Sequence, residues 1–155
     1  MLIAHRSLIP SKKEVWLTDD TTSTQELSSY LRGEKPEVSH PVAAWATQSG
    51  KGLLFFNKKG ETNRKQPGHV LALYDATDLK KQGTHDITFK LSGQEHTLKA
   101  ASETERDGWY LSIEKAVELG RVSKDEIHES EGYKEELEKL STWKRSPLPK
   151  RENRN

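Results

Sequence analysis

Cysteine is absent from all 155 residues, which removes disulfides and thiolate metal sites and suits a reducing compartment. Also missing is any apolar run near the ~20 residues that a helix needs to cross a bilayer. The opening stretch, MLIAHRSLIPSKK, lacks the apolar core and small-residue cleavage site of a secretory signal, so a cytoplasmic location is expected. Hydrophobic residues are scarce too. At 32% they only equal the charged residues, also 32%, so the expectation is one domain with a lean core and much solvated surface.

Net charge is nearly absent at +1, but that value conceals a segregation. Residues 1–65 hold ten cations against seven anions, residues 101–140 hold six against twelve, and residues 141–155 hold five against one. Such a molecule is electrically polarised, and its basic end would orient toward an anionic surface.

From Ala43 to Ala101 the chain reads as strands broken by turn residues. Residues 42–48 (VAAWATQ) turn through Ser49-Gly-Lys-Gly52 into 53–58 (LLFFNK), as a Gly-containing loop of this length between strand-like runs suggests. A longer loop, 59–68, leads to 70–74 (VLALY), 77–81, 87–91 (ITFKL) and 95–101, with turns near Gly83 and Ser92–Gln94. Residues 3–9 and 14–17 add short strands at the start.

Helices are announced by capping patterns. Ser102-Glu-Thr-Glu105 precedes Trp109, Ile113, Ala116 and Val117, which recur on one face, and Gly120 is expected to stop that helix near 119. Trp109 is expected in the core. Ser23-Thr-Gln-Glu26 opens a short helix over 24–32, and Ser123-Lys-Asp-Glu126 opens a helical extension over 123–141 that kinks at Gly132. Tyr133 and Leu137 are expected to pack on the barrel or on the closing helix. Beyond residue 142, WKRSPLPKRENRN reads as a basic disordered tail in which Trp143 can act as an interfacial anchor or fold back.

The strings AAWATQSGKGLLFFNKK, HVLALYDATDL and FKLSGQEHTLKAASETERDGWYLSIEKAVE resemble a pleckstrin homology domain, in particular the fungal branch named after a meiotic-expression-upregulated protein. The resemblance spans roughly Ser23 to Leu140. It implies a mostly β fold with α elements: a seven-stranded bent barrel over residues 1–122, an inserted helix at 24–32, and a closing helix at 103–119 whose Trp109 lies against the open barrel end. It further implies a monomeric, non-catalytic adaptor of the cytoplasm and peripheral membrane, without cofactor. Its partners would be anionic phospholipid or phosphoinositide headgroups, or a protein.

In that family the loop corresponding to the one between the second and third confidently paired strands lies beside the first hairpin loop on a positive rim. Here the loop 58–65 carries Lys58, Lys59, Arg64 and Lys65 against Glu61, and Lys12 and Lys13 supply the neighbouring loop. Phosphate monoesters carry nearly two charges each, so several Lys or Arg donors must converge from more than one loop. The chain departs from the family's phosphoinositide pattern, because Lys12-Lys13 is followed by Glu14 and residues 40–45 contain no Lys or Arg. Delocalised attraction to anionic membrane and protein binding therefore both stay open.

Catalytic and metal chemistry find no support. Ser49-Gly-Lys-Gly52 lacks the Ser or Thr and the upstream Gly of a phosphate loop, so it reads as a turn. His5, His40, His69, His85, His96 and His128 show no paired ligand spacing, and His96 is expected to face Phe89 across a hairpin. Glu103 with Glu105, and Asp125 with Glu126, sit in first turns of expected helices, where the macrodipole accounts for them. Nucleic-acid binding is disfavoured by a pI of about 7.9 and by aromatics needed in the core.

Overall fold

Leu53–Asn57 (β3) is buried at every position, and that fact organises the molecule. A strand apolar on both faces must be covered on both, and its unbroken Leu-Leu-Phe-Phe run is the corresponding sequence signature. In the computed structural model, which describes residues 3–5, 12–57 and 65–145, β3 lies inside a four-stranded antiparallel sheet. Its order is β1 (Ile3–His5), β2 (Lys12–Trp16), β3, β4 (His69–Ala72). A second antiparallel sheet holds β5 (Thr77–Gln82), β6 (Asp86–Leu91) and β7 (Gln94–Lys99).

Among the described residues seven strands form two sheets and not a closed barrel. A 3-10 turn at Leu73–Asp75 carries the chain from one sheet to the other, and β1 approaches β7. Leu54 and Phe56 point between the sheets with Ile87, Phe89 and Leu98, and the helix α3 (Glu103–Glu129) closes this core with Ile113 and Val117. Phe89 pairs with His96, as the sequence suggested, with rings stacked 5.5 Å apart.

The other face of the first sheet, Leu53 and Phe55, is covered by a helical layer: α1 (Ser28–Gly33), α2 (Pro36–Ala46) and α4 (Glu131–Arg145). Here the sequence reading is corrected. Residues 42–46, expected as a strand, are the last turns of α2, and all five are buried. A short run buried on all sides shows no period, so pattern alone cannot separate strand from helix there. Trp45, with no exposed surface, is the central aromatic of this layer, whereas Trp109 is only partly buried against the inter-sheet core. Trp45 stacks on Tyr74 at 4.0 Å and donates from Nε1 to the Lys51 carbonyl at 2.8 Å.

Two capping patterns are realised. Ser23 and Glu26 bond reciprocally, the Ser23 amide to the Glu26 carboxylate at 3.0 Å and the Glu26 amide to Ser23 Oγ at 3.1 Å, but this box opens only a turn, and α1 begins at Ser28 and not at 24, with no side-chain cap. Ser102 Oγ accepts from the Glu105 amide at 3.1 Å and starts α3. The third pattern is not a start, because α3 runs through Ser123–Glu126 and ends at Glu129. Gly120 does not stop it. A Cβ there would lie 2.7 Å from the Tyr74 Cβ and 3.0 Å from the Gly52 Cα, so this glycine lets helix, turn and 3-10 segment touch. The break comes at Ser130, which is extended and whose Oγ accepts from the Tyr133 amide at 3.2 Å to open α4. Tyr133, Leu137 and Leu140 then pack into the helical layer with α2.

Burial pushes the phenols of Tyr30, Tyr74 and Tyr133 up, and the carboxylates of Glu34 and Asp75 add to this for Tyr30 and Tyr74 respectively. A phenol raised in the folded state contributes stability that is complete below its unfolded value near 10 and is lost as pH rises beyond it. Unfolding above that pH is expected to coincide with the appearance of phenolate absorbance from these three side chains. Phenolate formed while the tertiary circular-dichroism signal persists would contradict it.

Candidate functional site

Strand register places the sequence-nominated cations relative to one another. β1 pairs with β2 through His5 and Lys12, Ala4 and Lys13, and Ile3 and Glu14. β2 pairs with β3 through Glu14 and Asn57, Val15 and Phe56, and Trp16 and Phe55, and β4 begins at His69 opposite Phe56. The hairpin between β1 and β2 and the loop between β3 and β4 therefore leave from the same end of the first sheet. Lys12 and Lys13 stand in β2 beyond Glu14, toward that end. Lys58, Lys59 and Arg64 lie outside the described residues, and Lys65 is exposed where the description resumes.

The base of the 58–68 loop is anchored by three contacts. Asn57, 1% exposed, accepts at Oδ1 from the Gly68 amide at 2.7 Å. Pro67 is buried, and the ring of His69 stacks on Phe56 at 4.8 Å. Asn57 was missed in the sequence because a polar residue ending a strand looks like a turn former. The only hint is that it closes a fully apolar run.

At the opposite end of the first sheet, where β2 ends and β3 begins, the turn 49–52 packs against α3. Lys51 O is held by Trp45 Nε1, the Lys51 amide donates to Ser49 Oγ at 3.0 Å, and the Gly50 amide donates to the Asp19 carbonyl at 3.3 Å. Residues 101–140, which carry the acidic excess of the sequence, form most of α3 and α4.

A second cleft, of about 500 Å³, runs along β5 beside α3, lined among others by Thr77, Leu79, Tyr110, Glu114, Val117 and Glu118. β5 pairs only with β6 among the described residues. No group of three or more His, Cys, Asp or Glu residues that could hold a metal ion occurs among the described residues. No described helix is long and apolar enough to cross a membrane.

Two sheets closed by a helix define a class that comparison with known families identifies. The family model for the pleckstrin homology domain matches residues 7–116, and the chain belongs to that family. Among characterised proteins it is similar to Meiotic expression up-regulated protein 6 of Schizosaccharomyces pombe, 29% identical over 98 residues, covering 63% of this chain and 15% of that protein. The chain thus spans a small part of that relative's length. Among solved structures it is similar to the pleckstrin homology domain of human oxysterol binding protein-related protein 11, with 21% identity, 44% of this chain and 58% of that chain covered, and a TM-score of 0.37. That overlap is partial, and the family assignment rests on the sequence match.

Proposed function

We propose that this chain is a non-catalytic adaptor of the cytoplasm that docks on anionic or phosphoinositide-containing membrane through Lys12, Lys13, Lys58, Lys59, Arg64 and Lys65. The observation that carries this reading is the strand register, which brings Lys12 and Lys13 of β2 to the sheet end where β3 ends and β4 begins, the end to which residues 58–65 are joined. Two cations at a strand end and four in the adjoining segment would meet the charge requirement of a phosphate-bearing surface, where each Lys or Arg near the headgroups contributes ~1 kcal/mol in general.

Liposome co-sedimentation tests this. Wild type is expected to bind anionic and phosphoinositide-doped vesicles over neutral ones, with binding that weakens as salt rises. Combined Lys58→Glu, Lys59→Glu, Arg64→Glu and Lys65→Glu should weaken it roughly a thousandfold. No binding to any vesicle would remove the membrane reading. A protein-binding reading would then gain, favoured by the open β5 edge beside the α3 cleft, which is suited to an added strand.

A further inference from the structure

A cleft of about 600 Å³ opens between the end of β2, the turn 49–52 and the middle of α3. Its apolar lining comes from Leu17, Ala116 and Leu119, each partly exposed, and its rim carries the exposed cations Lys51 and Lys115 with the hydroxyl of Ser112. Neither lysine has an ion-pair partner among the described residues, whereas Lys81, Lys90, Lys124 and Lys139 are each paired to a carboxylate. Among the lining residues the one opposing charge is Asp19, so lysines outnumber carboxylates two to one. The walls are preformed: Trp45 fixes the Lys51 carbonyl, and Gly50 sits so close to the Thr18 and Asp20 carbonyls that a Cβ would lie 2.6 and 2.4 Å from them. An apolar floor under a rim with an excess of lysine selects a ligand with a bulky apolar group flanked by negative charge.

We propose that this cleft seats an acidic peptide segment of a protein partner, with an aliphatic side chain on Leu17, Ala116 and Leu119 and flanking carboxylates at Lys51 and Lys115. The choice of a protein over a membrane rests on the membrane reading above. The cleft lies at the other end of the first sheet from Lys12 and Asn57, ~16 Å away along a five-residue strand, so a domain seated by its basic loops turns this cleft toward the cytosol. Membrane and partner would then be held at once, at opposite ends of one sheet.

The test is amide NMR of the full chain titrated with a blocked hexapeptide of alternating glutamate and leucine. A lysine–leucine version, inorganic phosphate and octanoate serve as comparisons. The glutamate peptide is expected to shift the amides of residues 50–53 and 112–119, and combined Lys51→Glu and Lys115→Glu should weaken it roughly tenfold. Leu119→Gln, with both lysines kept, should weaken it as well. Silence of those amides at millimolar peptide, an equal response to the lysine peptide, or a response to phosphate or octanoate alone would overturn the proposal. The same double variant should still sediment with anionic liposomes. Peptide binding by a wild type that ignores liposomes would instead remove the membrane reading and leave the cleft's ligand standing.

Discussion

Trp45→Ala is expected to lower the unfolding free energy by about 3–5 kcal/mol, seen as a fall in the urea midpoint with little change in slope. Trp45 has no exposed surface and touches elements distant in sequence: it stacks on Tyr74, meets the edge of His128 at 5.6 Å, and donates to Lys51 O. Removing the indole opens a cavity where α2, the 3-10 turn and α3 meet, and frees the turn that carries Lys51. Trp45→Phe keeps most of the volume but loses the donor, so a smaller loss of about 1–3 kcal/mol is expected. An alanine variant within about 0.5 kcal/mol of wild type would show that the helical layer is not part of the cooperative fold.

Arg106→Ala is expected to cost less, about 1–3 kcal/mol, by a different mechanism. Arg106 is 4% exposed in the first turns of α3 and donates from Nη1 to the carbonyls of Gly83 and Asp86 at 3.1 and 3.0 Å. Its Nε donates to Asp107 Oδ1 at 2.9 Å, and Lys81 reaches the same oxygen at 3.2 Å. The guanidinium thus ties the β5–β6 turn to the closing helix, and its loss removes the donor shared by the Gly83 and Asp86 carbonyls. Arg106→Lys should rescue little, because one ammonium cannot reproduce the planar fork. Hydrogen bonds from Arg106 and Lys81 hold the Asp107 carboxyl below the usual carboxylate range. A depressed carboxylate contributes above its unfolded value and loses that contribution as pH falls through the folded one, so this support persists through mild acid and fades only below it.

Much of the fold was legible because local signals and tertiary demand agreed. The Ser102–Glu105 pattern opens a helix, alternation in residues 87–91 sets the Phe89–His96 register, and Ile113 with Val117 marks the buried face of α3. The failures came where packing outweighed propensity. A helix-interior glycine costs ~1 kcal/mol relative to alanine, yet Gly120 is needed for close approach to Gly52 and Tyr74, so the helix continues through it. Residues 42–46 carry no period because they are buried on every side. Ser130, the true break before α4, was eclipsed by Gly132 nearby.

The sequence nominated Lys12 and Lys13 as loop residues, whereas they begin strand β2, because a Lys-Lys-Glu run carries no strand signal until Val15 and Trp16. Asn57, which ties the loop base to Gly68, shows no chemical signature. The cleft at Lys51 and Lys115 was hidden for another reason. It joins residues more than sixty positions apart, and the glycines that shape it read as an ordinary turn.

The most direct measurement of the central claim is paramagnetic broadening of amide signals by gadolinium chelated to lipid headgroups in anionic nanodiscs. The expected result is strongest broadening at residues 12–13 and 58–68, with residues 17–20 and 49–52 and the acidic α3–α4 surface spared. Broadening centred on the α3 end of the first sheet, or none above that in neutral nanodiscs, would contradict a membrane contact made by the basic loops.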